Sequence, residues 1–141
     1  LSGFGGRYFQ ELSGGEQQRV HLARVLAQVR QPVADDGRPR WLLLDEPTSN
    51  LDLRHQLSTL DAARGFAAGG GGVIAVLHDL NLAALYADRL VVVSRGRIAA
   101  DGPPAEVLND RLMADVFGVT VRVGTPPPPG TAFILPQTIG R

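Results

Sequence analysis

Two short apolar runs constrain this chain more than any other feature. WLLL, residues 41–44, leads directly into Asp45 and Glu46; VIAVL, residues 73–77, leads into His78 and Asp79. Neither run alternates polar with apolar residues, which is how strands read when both faces of a parallel sheet are buried. Between them Leu53, Leu57 and Leu60 recur at helical spacing, and a run of four glycines, residues 69–72, ends that pattern. Strand, helix and strand in this order predict an α/β fold with a parallel sheet covered on both faces. Sheets of this kind carry their chemistry at the carboxyl ends of the strands, where both polar clusters fall.

The stretch LSGGEQQRV, residues 12–20, predicts a second kind of site. Ser13 can cap a helix that starts at Gly14 and Gly15 and runs to about Val29, with Val20, Ala23, Leu26 and Ala27 as its apolar stripe. Two glycines at a helix start are costly for helix propensity. A serine hydroxyl, glycine amides and the positive helix end together suit an anion, a phosphate above all. Residues 31–40 read as a polar surface loop punctuated by Pro and Gly. Beyond His78 the sequence predicts a helix through LNLAALYA and a hairpin of LVVVS and RIAADG turning at Arg95–Gly96. Short helices in PAEVL and RLMADVF follow. A proline-rich tail, residues 125–141, follows a domain expected over residues 1–124. No internal repeat is visible.

Composition narrows the functional classes. A chain of 141 residues suits one domain or a large piece of one. Its net charge of zero gives no general pull toward nucleic acid or an anionic membrane. Without cysteine there is no disulfide framework and no thiolate metal site. No apolar run approaches the ~18 residues of a membrane-spanning helix. All 14 basic residues are arginine, so no site that needs a lysine can be supplied from within this stretch.

Asp45 ends a buried strand, where a carboxylate can hold Mg²⁺ directly or through water beside a nucleotide phosphate. Glu46 beside it can accept a proton from an attacking water. A strand that merely ends at the surface would read the same over these two residues; the continuation PTSNLD favours the functional reading. There Pro47 stops the strand and Asp52 can cap or anchor the turn into the next helix. His78 is open to a structural role or to one that bridges a terminal phosphate and the Glu46 carboxylate. His21 and His55 fall on predicted helices and read as surface residues.

LSGGEQQR, WLLLDE, SNLD and the histidine of VLHD, in that order, resemble the ATP-binding-cassette ATPases of membrane transporters. The first resembles the family's signature motif, the second its Walker B strand and the third its D-loop; His78 resembles its switch histidine. The resemblance covers roughly residues 1–118. It implies a partial P-loop NTPase-like parallel sheet with flanking helices, the carboxyl-terminal part of the ATPase domain. It also implies ATP and Mg²⁺ as ligands and a head-to-tail homodimer. Ser13, Gly14, Gly15 and Glu16 would then serve the γ-phosphate of the partner subunit's ATP. Asp45 would help place the metal, Glu46 and His78 would be catalytic, and Asp52 would couple the two sites. The family's Walker A loop, GxxxxGK[ST], depends on its lysine, so this stretch is expected to carry the catalytic base without the main nucleotide grip and to be inactive alone.

Within the family, the loop leading into RPRWLLLDEP and the PPPPG tail resemble the ATPase subunits of bacterial haem importers. HDLN is shared more widely, with iron-siderophore and cobalamin importers. The resemblance implies a peripheral subunit on the cytoplasmic face of the inner membrane, working with a permease dimer and, indirectly, a periplasmic haem-binding protein. No nucleic acid partner is expected. Two other readings remain open on the sequence: a non-transport cassette protein of the DNA-repair or translation type, and a degenerate inactive fragment.

Overall fold

The computed structural model describes residues 6–29 and 31–136. The first five and last five residues of the expected segments, and Arg30, lie outside the described residues. The chain divides into two compact units, residues 1–78 and 79–141. The expected boundary at 124/125 therefore falls inside the second unit.

In the described part of the first unit a 3₁₀ turn, Phe9–Glu11, precedes helix α1, Gly14–Val29. α1 starts where its sequence dictates. The Glu16 amide donates to Ser13 Oγ at 3.4 Å while Glu16 Oε2 accepts from the Ser13 amide at 2.8 Å. This reciprocal capping satisfies two of the donors that a helix start leaves over. A loop closed by a bridge between Val33 and Pro39 leads to β1, Trp41–Asp45. Helix α2, Leu53–Ala68, and strand β2, Gly72–Val76, complete the unit.

β1 and β2 pair in parallel, from Trp41 opposite Gly72 to Asp45 opposite Val76. The expected β-α-β arrangement is present, with β2 one residue earlier than the apolar run predicted. The covering differs from the expectation. Leu42, 1% exposed, and the half-buried Leu44, Val73 and Ala75 form one sheet face. α2 lies against β2 and buries Thr59, Leu60, Ala63 and Phe66. On the other face Trp41 and Ile74 are each 56% exposed and Leu43 is 74% exposed. Apolar content on both faces predicted two covering layers; the described residues supply one.

The second unit opens with helix α3, Leu80–Tyr86, capped by Asp79, whose carboxylate accepts from the amides of Asn81 and Leu82. Strands β3, Leu90–Ser94, and β4, Arg97–Gly102, form an antiparallel hairpin. Its two-residue turn places Arg95 and Gly96 at φ 50° and 72°. That left-handed pair matches the twist of the flanking strands. Arg89 grips Asp101 through two parallel bonds of 2.8 and 2.9 Å across the open end of the hairpin. Short helices α4, Pro104–Val107, and α5, Asp110–Asp115, follow. The remaining described residues run without regular elements, tied back to α5 by the Val119 amide donating to the Met113 carbonyl at 3.0 Å and the Val123 amide donating to Asp110 Oδ1 at 2.8 Å.

Candidate functional site

Every sequence-predicted site residue lies in the first unit, where it is carried by the start of α1, the end of β1, the turn into α2 or the end of β2. Glu46 is the first residue past β1 and adopts φ 44°, a left-handed backbone that a non-glycine side chain rarely takes. Ser49 holds that turn, its hydroxyl donating to the Glu46 carbonyl at 2.6 Å and lying 3.2 Å from Glu46 Oε2. The strained backbone aims the carboxylate at His78, whose Nε2 lies 2.7 Å from Glu46 Oε1. An ionised carboxylate can only accept, so the imidazole is the donor.

The pair shifts the titration of both members. The His78 hydrogen bond, then its charge, then the Ser49 hydroxyl hold the Glu46 carboxyl below its ordinary value of 4.5. The Glu46 hydrogen bond and charge, with a smaller contribution from Asp45, raise His78 above its ordinary 6.5. Both groups are solvent-exposed, so the shifts describe protonation and not a large stabilising energy. At neutral pH Glu46 is ionised, as a general base must be.

All of the predicted site residues but His78 line two hollows, with Gly14 common to both. One, of about 380 Å³, sets Gly14, Gln17 and His21 of α1 beside Asp45, Glu46 and Asn50. The other, of about 510 Å³, joins Ser13, Gly14, Gly15 and Glu16 to Asp52 and His55. Gly14 and Gly15 contribute differently. A side chain at Gly14 would meet open space, whereas one at Gly15 would crowd the Leu51 side chain at 3.3 Å and the Asn50 carbonyl at 3.4 Å. Gly15 is thus the residue that lets the helix start and the 50–52 turn approach each other. Glu16, expected with the phosphate-binding set, turns its carboxylate back onto the Ser13 amide and toward Arg7, 3.4 Å away.

Asp45 ends β1 as an exposed hard-oxygen donor. Among the described residues no three His, Cys, Asp or Glu side chains gather to hold a metal. A single carboxylate fits Mg²⁺, whose remaining ligands in nucleotide sites are phosphate oxygens and water. Both histidines read as helical surface residues also have neighbours among the site residues. His21 faces the cleft of Asp45 and Glu46, with its ring edge-on to Phe9 at 5.0 Å between centroids. His55, read as a surface residue, binds Asp52 through Nδ1 at 2.7 Å. The spacing D-x-x-H at a helix start carried that signal, because a side chain three residues past the cap lies over it.

Solved structures share this fold. An inward-facing metal-chelate-type ABC transporter aligns with a TM-score of 0.67 and 25% identity, over 81% of this chain and 42% of the other. A dimeric ATP-binding cassette in a post-hydrolysis state with ADP and Pi aligns with a TM-score of 0.62 and 28% identity, over 74% of this chain and 41% of the other. The chain belongs to the ATP-binding-cassette ATPases and is the carboxyl-terminal part of their α/β ATPase domain. Curated relatives include hemin import ATP-binding proteins. That of Jannaschia sp. is 57% identical over all 141 residues, and that of Mesorhizobium japonicum is 59% identical over 138 residues, 98% of the chain. In both cases the chain spans 52% of the relative, about half its length. No protein-family model matches the sequence.

Proposed function

We propose that the protein to which this stretch belongs hydrolyses ATP to drive uptake of haem, through a permease on whose cytoplasmic side it sits as one of two ATPase subunits. The observation that carries the hydrolytic reading is the 2.7 Å contact between Glu46 and His78 at the carboxyl ends of adjacent parallel strands. The haem substrate is favoured by relatives named for hemin import at 57–59% identity. Among the described residues no helix is long and apolar enough to cross a membrane.

When bound, ATP supplies the phosphoanhydride and Mg²⁺ offsets the charge that builds on its oxygens. Asp45 is the residue of this chain suited to the metal. Glu46, ionised and held by the Ser49 clamp, orients and polarises the attacking water. His78 fixes the Glu46 carboxylate and brings an imidazole donor to the terminal phosphate. Ser13 and the amides of Gly14 and Gly15 form a second anion-binding corner, directed at the nucleotide held by the other subunit. Asp52 lies between that corner and α2, where it links one site to the other.

The test is reconstitution of the full-length protein with its permease in lipid vesicles containing a haem-loaded binding protein. Magnesium-dependent ATP hydrolysis coupled to haem uptake is the expected result. Coupling to a ferric siderophore or cobalamin instead would replace the substrate, and no hydrolysis at all would overturn the reading.

A further inference from the structure

His55 does more at the start of α2 than a surface residue would. The Asp52 side chain is the N-cap of α2, and its Oδ1 accepts the His55 amide at 2.9 Å, which satisfies the helix. The same oxygen also accepts the His55 ring through Nδ1 at 2.7 Å. Two donors from one residue converge on one carboxylate oxygen and remove the rotation that a singly bonded cap retains.

The carboxylate so fixed lines the hollow shared with Ser13, Gly14 and Gly15, and the ring that fixes it lines the same hollow. The ring is about one-third exposed, so packing as well as the hydrogen bond limits its movement. Charge agrees with the geometry: the His55 amide, more than any other group, lowers the Asp52 carboxyl below its ordinary value, and Arg19 of α1 adds a smaller pull.

We propose that His55 is a positioning residue that acts through Asp52, locking the carboxylate in the orientation with which it meets the other ATPase subunit. This rests on the ATPase reading above. Its ring supplies Nδ1–H to Asp52, since an ionised carboxylate can only accept. The role belongs to catalysis between subunits and not to the grip on nucleotide within one.

The experiment uses the full-length protein and three variants of one position. His55→Ala is expected to lower kcat about tenfold, the scale of one charge-assisted hydrogen bond, with KM for ATP changed less than about twofold. His55→Asn, whose side-chain amide places a donor where Nδ1 stood, is expected to recover activity to within about threefold of the parent, while His55→Gln is not. Adding His55→Ala to Asp52→Ala is expected to cost nothing further, since the two act as one unit.

Equal activity in His55→Ala and the parent would overturn the proposal. So would an Asn variant no better than Ala, which would mark a merely structural role. ¹⁵N spectra of the imidazole separate this failure from failure of the ATPase reading. A parent that shows the Nδ1–H tautomer bonded to Asp52 yet hydrolyses no ATP would retain the contact and refute both functional claims. A parent that hydrolyses ATP but lacks that tautomer would refute the positioning role alone.

Discussion

Glu46 and Arg95 adopt nearly the same left-handed backbone, φ 44° and φ 50°, for different reasons. Arg95 is the first of two turn residues in a tight hairpin, followed by Gly96 at φ 72°, and the turn geometry demands both angles. Glu46 follows a parallel strand, where no hairpin requires such a turn. It is kept there by Ser49 on its carbonyl and by His78 on its carboxylate. One positive φ serves the connection of two strands. The other serves the aim of a side chain, as strained residues at functional sites do.

The largest expected effect that separates the two is chemical. In the full-length protein Glu46→Gln keeps the backbone and side-chain shape but removes the proposed base, so hydrolysis should fall by ~10²–10⁴-fold while ATP binding persists. Arg95→Gln should leave turnover unchanged. Steady-state hydrolysis together with nucleotide binding checks this, and comparable losses in both variants would erase the distinction.

A smaller effect concerns protons. The His78 titration midpoint, read from its ring proton signals, should lie above 6.5 in the parent and fall back toward that value in Glu46→Gln. The sign follows from the shifts. A raised imidazole favours the folded state fully below its unfolded value and loses that contribution as pH rises through the folded value. A depressed carboxyl contributes above its unfolded value and loses its share as pH falls through the folded one. The Glu46–His78 contact is therefore strongest from above 4.5 to about 6.5. An unshifted His78 would mean that the pair does not persist in solution.

The smallest effect is on stability. Glycine adopts positive φ without the Cβ penalty, so Arg95→Gly and Glu46→Gly should each stabilise the fold by roughly 1 kcal/mol. Only the second should abolish hydrolysis. Denaturant midpoints of the two variants test this. A destabilised Glu46→Gly would show that the side-chain contacts, and not the backbone, set the balance there.

The sequence made much of this arrangement legible, and the limits have physical causes. α1 begins and ends where Ser13 and the apolar stripe predict, and the hairpin turns at Arg95–Gly96 as its pattern requires. Local hydrogen bonding and side-chain period decide such features within a few residues. The Glu46 conformation was hidden because a residue before proline is biased toward extended backbone, so Pro47 argues against φ 44°. The only sequence signal of the His55 contact is the D-x-x-H spacing at the helix start, which a helical histidine without a partner can share. The two hollows were not separable either. Their walls join residues 13–21 to residues 45–55, and that proximity is a property of packing and not of spacing.

The open face of the β1–β2 pair has an optical consequence. Trp41 is the single tryptophan of the chain and stands 56% exposed beside Leu43 and Ile74 on that face. Indole emission moves to shorter wavelength as water leaves its surroundings, so this chain carries its own fluorescent gauge of whether the face is wet. Any segment laid over Leu43 and Ile74 would turn the emission bluer and shield it from a soluble quencher, with no label attached.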